Sequence, residues 1–137
     1  EFRDENGLSV TLLADPDGRH LAFAGARGGN WDIHVIARDG SGLRRLTESP
    51  AEDLSPAWSP DGGSLYFSSR RSGDWRIWRL PVTGATDGEA APMTGTGPMT
   101  VRPAGDGSGL FVMVEGQRGI RFIPAGEMGP QALGRIV

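Results

Sequence analysis

A four-residue turn recurs in this chain at a fixed distance, and few folds tolerate such a period. Asp15-Pro16-Asp17-Gly18 lies 44 residues before Ser59-Pro60-Asp61-Gly62. The same offset maps Leu21 on Leu65, Phe23 on Phe67, Trp31 on Trp75 and Ile33 on Ile77. In the second copy Pro60 fixes φ at the first central position of a type I turn, Ser59 can hydrogen-bond the turn from its first position, and Gly62 suits the last. A third, worn copy begins at Gly105-Asp106-Gly107, 45 residues after the second, without the proline or the tryptophan. A period of about 40–45 residues with four strands per unit is the mark of a β-propeller blade.

The strands follow from the apolar runs between turns. The first unit predicts them near Val10–Leu13, His20–Ala24, Trp31–Ala37 and Leu43–Thr47, with Asp39-Gly40 turning the chain between the last two. The second predicts Leu54–Trp58, Ser64–Ser68, Trp75–Leu80 and Ala90–Thr94, with Pro81–Glu89 as a longer connection. The third predicts Met99–Arg102, Leu110–Val114, Ile120–Ile123 and Ala132–Ile136. Alternation places Trp75, Ile77 and Arg79 on one side of their strand and Arg76, Trp78 and Leu80 on the other. The expectation is an all-β chain, residues 1–137 forming one partial propeller domain. Its three four-stranded antiparallel blades span about 8–48, 49–95 and 96–137. No helix of useful length is predicted.

The stretch Asp53-Leu54-Ser55-Pro56-Ala57-Trp58-Ser59-Pro60-Asp61-Gly62 leads into Leu65-Tyr66-Phe67 and then Asp74-Trp75-Arg76-Ile77-Trp78. Together these closely resemble the TolB-type propeller repeat. Gly29-Asn30-Trp31-Asp32-Ile33-His34-Val35, with Asp39-Gly40-Ser41-Gly42-Leu43-Arg44-Arg45-Leu46-Thr47, resembles the rest of that repeat. The resemblance covers about two-thirds of the chain. It implies six blades in a closed ring and a periplasmic location. It leaves the activity open, because such repeats serve periplasmic scaffolds, peptidase-gating domains, some lyases and sensors.

Propellers carry 4–8 blades around a channel, so three cannot close one. Each end would expose a face meant for a neighbour. Either two copies join as three plus three, or the chain is a fragment of a larger propeller. The opening residues Glu1-Phe2-Arg3-Asp4-Glu5 lack a start methionine and a signal-peptide shape, which predicts a mature form or an excised piece.

Charge and composition narrow the chemistry. The net charge is −3 with no basic stripe, which argues against nucleic acid. No apolar run approaches the length of a membrane helix, so no membrane insertion is expected. There are no cysteines and only two histidines, His20 and His34, so no metal-ligand set or cofactor is expected. His20 follows a turn and His34 alternates along a strand, which reads as solvation or packing. No Gly-x-Ser-x-Gly elbow is present, and an intrinsic peptidase is rejected. Gly25–Gly29 and Gly105–Gly109 do not lead into a helix or end in Gly-Lys-Ser/Thr, and read as turns. Trp31 and Trp75 repeat at matching positions, which favours packing between blades over sugar stacking.

The candidate site is a charged loop face. Interblade loops, and loops between second and third strands, open on one face of the disc. That face collects Arg27, Asn30, Glu48, Glu52, Asp53, Arg70, Arg71, Asp74, Glu115 and Arg118. Loops on a rigid scaffold commonly carry binding residues, and arginines pair carboxylates bidentately. The eight residues singled out are Arg27, Asn30, Glu52, Asp53, Arg70, Arg71, Asp74 and Arg118. Asp53 and Asp74 could instead cap local turns. The expected function is a non-enzymatic scaffold binding another protein, a second copy of itself, or both. The alternatives are the propeller of a polysaccharide lyase or peptidase-type enzyme, using His34 or Arg71, and a fragment that only self-assembles.

Overall fold

The computed structural model describes residues 2–3, 9–10, 12–26, 30–83, 93–94, 99–114, 116–125 and 135–136. A short antiparallel pair, β1 (Phe2–Arg3) and β2 (Ser9–Val10), comes first. Three four-stranded antiparallel sheets follow, each a simple meander. Sheet 1 is β3 (Leu13–Ala14), β4 (His20–Gly25), β5 (Asp32–Ala37) and β6 (Arg44–Arg45). Sheet 2 is β7 (Asp53–Trp58), β8 (Ser64–Ser69), β9 (Arg76–Pro81) and β10 (Met93–Thr94). Sheet 3 is β11 (Met99–Pro103), β12 (Gly109–Val114), β13 (Arg121–Pro124) and β14 (Arg135–Ile136). None of the described residues is α-helical, and among them no helix is long and apolar enough to cross a membrane.

The recurring turn is built the same way three times. Backbone N–H groups of Gly18, Gly62 and Gly107 donate to the carbonyls of Asp15, Ser59 and Ala104, closing each four-residue turn. These glycines sit at φ of 72°, 73° and 78°, the left-handed region where a side chain would be strained. Asp17, Asp61 and Asp106 accept from the N–H two residues on, in Arg19, Gly63 and Ser108. The worn third copy therefore keeps what the turn needs, an acceptor and a glycine, without proline. Asp61 also accepts from the Ser59 hydroxyl at 2.6 Å, and Ser59 Oγ accepts from the Ser64 N–H.

Those hydrogen bonds set an acid dependence. The Ser59 hydroxyl, then the Gly63 N–H, hold the Asp61 carboxyl below its ordinary 3.8. Ser108 does the same for Asp106, and Ser41 for Asp39. A carboxyl lowered in the folded state contributes stability above its unfolded pKa and loses it as pH falls through the folded value. Stability should therefore decline below about pH 3.8, and Asp61→Asn should make that decline shallower. Urea midpoints across an acid pH series measure it; equal slopes for both proteins would refute the assignment.

Two apolar layers lie between the sheets. Ala22, Ile33, Val35 and Leu46 of the first unit meet Trp58, Leu65, Phe67 and Leu80 of sheet 2, with Trp78 packed alongside. On the other side of sheet 2, Ala57, Tyr66 and Ile77 meet Val101, Leu110, Val112, Val114 and Ile123, with Trp75 against them. The expected alternation of Trp75 and Ile77 against Trp78 and Leu80 thus splits β9 between its two neighbours. The first strand of each sheet is innermost: β7 lies against β3, β4 and β5, and β11 against β7, β8 and β9. The Trp58 indole N–H crosses to the Leu13 carbonyl at 2.8 Å, tying the inner strands of sheets 1 and 2. Gly109 is required by proximity, since a Cβ there would fall 2.2 Å from the Ile123 carbonyl oxygen.

Candidate functional site

The loop face divides into groups spent on the scaffold and groups left for solvent. β7 starts at this face, where the Asp53 N–H donates to the Trp31 carbonyl of the neighbouring unit at 2.8 Å. Asp53 pairs across the sheet with Ser69, and Ser69 with Arg76, so the three share one side. It is the side facing sheet 1, because Phe67 and Leu65 alternate in phase with Ser69. The Asp53 carboxylate is fully buried and accepts from Arg71 Nη2 at 2.9 Å. Arg71 is in turn fixed by Ser69 Oγ, which accepts from its N–H and Nε, and its guanidinium lies 5.1 Å from the Phe67 ring centre and 5.2 Å from that of Trp78. The second carboxylate oxygen, Asp53 Oδ1, is buried with no hydrogen-bond partner among the described residues.

Just inside this pair β7 bulges between Leu54 and Ala57. Ser55 sits at φ 54°, alone among the described non-glycine residues at positive φ. A bulge re-aims side chains and sharpens twist. Here it lets Asp53 face sheet 1 while Ala57 and Trp58 resume regular pairing beyond it.

Asn30 plays the matching part for sheet 1. Its side-chain amide donates to the Ser49 carbonyl at 2.8 Å and to Asp32 Oδ1 at 3.2 Å, pinning the loop that leads into β7. Asp32 is fully buried and pairs through Oδ2 with Arg45 Nη2.

Three of the eight expected residues therefore serve as internal supports, Asp53 and Arg71 together in one ion pair and Asn30 in a separate network. Asp53 serves the ion pair rather than a turn cap. Glu52, Arg70, Asp74 and Arg118 are exposed and make no ion pair among the described residues. Arg27 lies outside the described residues, as does Glu115. The missed signal was register: Asp53 opens a strand whose partner ends at Ser69, two residues before Arg71, so the two charges meet at one corner of the sheet.

The histidines are tied into the scaffold. His34 is 2% exposed, stacked on Phe23 at 5.2 Å with Nδ1 against the Asp32 carbonyl. His20 is exposed, with Nδ1 3.1 Å from Asp15 Oδ2. Burial pushes the Asp15 carboxyl up, but hydrogen bonds from the His20 and Arg19 N–H groups and the His20 ring outweigh it and leave it below 3.8. Among the described residues no cluster of histidine and acidic groups could hold a metal. The turn face, which the sequence marked only by its Asp-Gly turns, carries clefts among the described residues. One of about 350 Å³ lies between sheets 1 and 2, lined by Asp15, His20, Arg44, Trp58 and Asp61 among others. Another, about 340 Å³, lies where the inner strands end, among Leu13, Ala57, Trp58, Arg102 and Pro103.

Four-stranded meanders stacked face to face, innermost strand first, define a β-propeller, with charged loops on one rim. The TolB beta propeller domain matches residues 5–129, and the chain belongs to that family. The Tol-Pal system protein TolB of Anaeromyxobacter dehalogenans (strain 2CP-C) is 49% identical over 43 residues, 31% of this chain and 10% of that protein. A TolB-like protein from Agrobacterium tumefaciens superposes with a TM-score of 0.71 at 23% identity, covering 92% of this chain and 49% of that one. A gluconolactonase from Xanthomonas campestris superposes at 0.63 with 20% identity, over 91% of this chain and 45% of that one. The fold is thus shared by a system component and an enzyme, and the chain spans half or less of each.

Proposed function

We propose that this chain is a non-enzymatic propeller scaffold that holds a polar protein partner against its loop face. The reading includes completion of a six-bladed ring by pairing of two copies. The observation that carries it is the division of labour on that face. Asn30, Asp53 and Arg71 are consumed in holding the loops, while Glu52, Arg70, Asp74 and Arg118 stand exposed on the rigid frame so made. Exposed charges of both signs suit a partner of complementary pattern and give binding that weakens with salt. The family and the name of the Anaeromyxobacter relative suggest a Tol-Pal system protein as partner. The enzymatic reading would need His34 or Arg71 to meet a substrate. The burial of the first and the ion pair of the second speak against that.

Purified Tol-Pal system proteins of Anaeromyxobacter provide the probe, titrated calorimetrically against the chain. A complex that weakens about tenfold in Arg70→Glu/Arg118→Glu, with the unfolding midpoint unchanged, is expected. Binding indifferent to both reversals would overturn the loop face as the site.

A further inference from the structure

Sheets 1 and 2 meet without two of the side chains that fill the gap between sheets 2 and 3. On the side of sheet 2 that faces sheet 3, Tyr66 pairs with Arg79 across β8 and β9, and the Arg79 guanidinium lies 6.0 Å from the Tyr66 ring centre. The 44-residue offset puts Ala22 and Val35, partners across β4 and β5, at the same two positions of sheet 1. An alanine and a valine thus stand where the next gap holds a tyrosine and an arginine. Trp58, at the position of Pro103 in sheet 3, fills part of the difference, its indole N–H tied to the Leu13 carbonyl. What stays open is the turn-face cleft of about 350 Å³. That is within the ~300–1,000 Å³ of small-ligand sites. Both of its walls are supplied by this chain.

The lining joins apolar groups to an excess of carboxylates. Val35, Trp58 and Val82 supply the apolar part. Asp15 and Asp17 come together on the sheet 1 wall, where both accept from the Arg19 N–H, at 2.8 and 3.1 Å. Asp61 stands on the sheet 2 wall. Its hydrogen bonds from Ser59 and Gly63 both go to Oδ1, and Oδ2 accepts none among the described residues. Against these three carboxylates the lining sets one fixed cation, Arg44, which is held to the Val82 carbonyl at 3.0 Å. No cluster among the described residues could hold a metal, so the complementary ligand is an organic cation. The next gap shows which kind. There the Ser59 hydroxyl and the Gly63 N–H hold the Asp61 carboxyl below 3.8, and the charge of Arg79 adds to their effect.

We propose that the cleft between sheets 1 and 2 binds an alkylguanidinium, taking from outside the group that Arg79 supplies between sheets 2 and 3. The apolar lining receives the alkyl stem. The carboxylates of Asp17 and Asp61 receive the planar head, whose parallel N–H donors match a carboxylate edge. An arginine side chain on a peptide and a free small guanidine present the same group. The site lies on the turn face, so the proposal goes beyond the loop-face reading and depends neither on it nor on ring closure.

The test is a titration of butylguanidinium into isotope-labelled chain, followed by NMR at the indole N–H resonances of the four tryptophans. Expected is a saturable shift at Trp58 that uncharged butylurea, of the same shape, does not produce. Asp61→Asn and Asp17→Asn, each on an exposed turn, should weaken binding about tenfold with the circular dichroism of the sheets retained. Asp17 belongs to a separate turn, which keeps the test decisive should Asp61→Asn disturb its own. Arg70→Glu/Arg118→Glu, which tests the loop face, should leave this binding unchanged. Acetyl-arginine amide binding more tightly than butylguanidinium would assign a peptide arginine as the source; weaker binding would assign a free guanidine, and both uphold the site. The absence of a saturable shift, an equal response to butylurea, a shift confined to the other three indoles, or indifference to both carboxylate variants would each overturn it.

Discussion

Replacing Arg71 with alanine should cost the fold about 3–5 kcal/mol, the usual penalty for stranding one partner of a buried ion pair. Asp53 has no exposure to water, and its other oxygen already lacks a partner among the described residues, so its charge would have nothing to replace the guanidinium. Part of the loss is packing, because the Arg71 guanidinium lies over Phe67 and Trp78. Urea unfolding followed by tryptophan fluorescence measures it. Asp53→Asn combined with Arg71→Met should recover most of the loss, since a neutral pair of similar shape removes the buried charge. If Arg71→Ala costs less than about 1 kcal/mol, the value of an exposed pair, the interaction is a surface one and the support argument fails.

Phe67→Ala should also cost about 3–5 kcal/mol, the range for truncating a buried phenylalanine. Phe67 is 1% exposed and stands at the centre of the layer between sheets 1 and 2. The cavity would open where two sheets meet, so neither alone can collapse to fill it. Because Arg71 stacks on this ring, the double variant Phe67→Ala/Arg71→Ala should lose less than the sum of the two singles. An additive result would place the two residues in independent environments. A cost for Phe67→Ala near 1 kcal/mol would mean that the sheets re-close around the gap.

The repeat made most of the architecture legible. One offset aligned the turns, the strand phases and the sides of each sheet, and even the third copy folds as aligned, because Asp106 and Gly107 retain the two groups the turn requires. The outer strand of sheet 1 is shorter than its apolar run implies. Leu43–Thr47 narrows to Arg44–Arg45, since an outermost strand is paired on one side only, while of Ala90–Thr94 only Met93–Thr94 lies among the described residues, and it forms the outer strand of sheet 2. The first strand is shorter as well: Leu13–Ala14 pairs with β4, while Ser9–Val10 belongs to the separate β1–β2 pair. What lay beyond the sequence was partnership at the loop face. Arg71 reads as a free recognition arginine until the β7–β8 register brings it to Asp53, and the Ser55 bulge that makes room for this leaves no turn signal. The buried charges were visible as residues but not as a pair.

The middle sheet is clasped on both sides, while sheets 1 and 3 each lean on one neighbour within the chain. Opening of the backbone to solvent is therefore graded along the sequence. In a single copy the amides of β8 and β9 are released only when both layers part, whereas those of β5 and β12 can exchange through loss of the one layer described beside them, a difference that closure of a ring would level. A chain of near-identical units thus carries a kinetic polarity that none of the units has by itself.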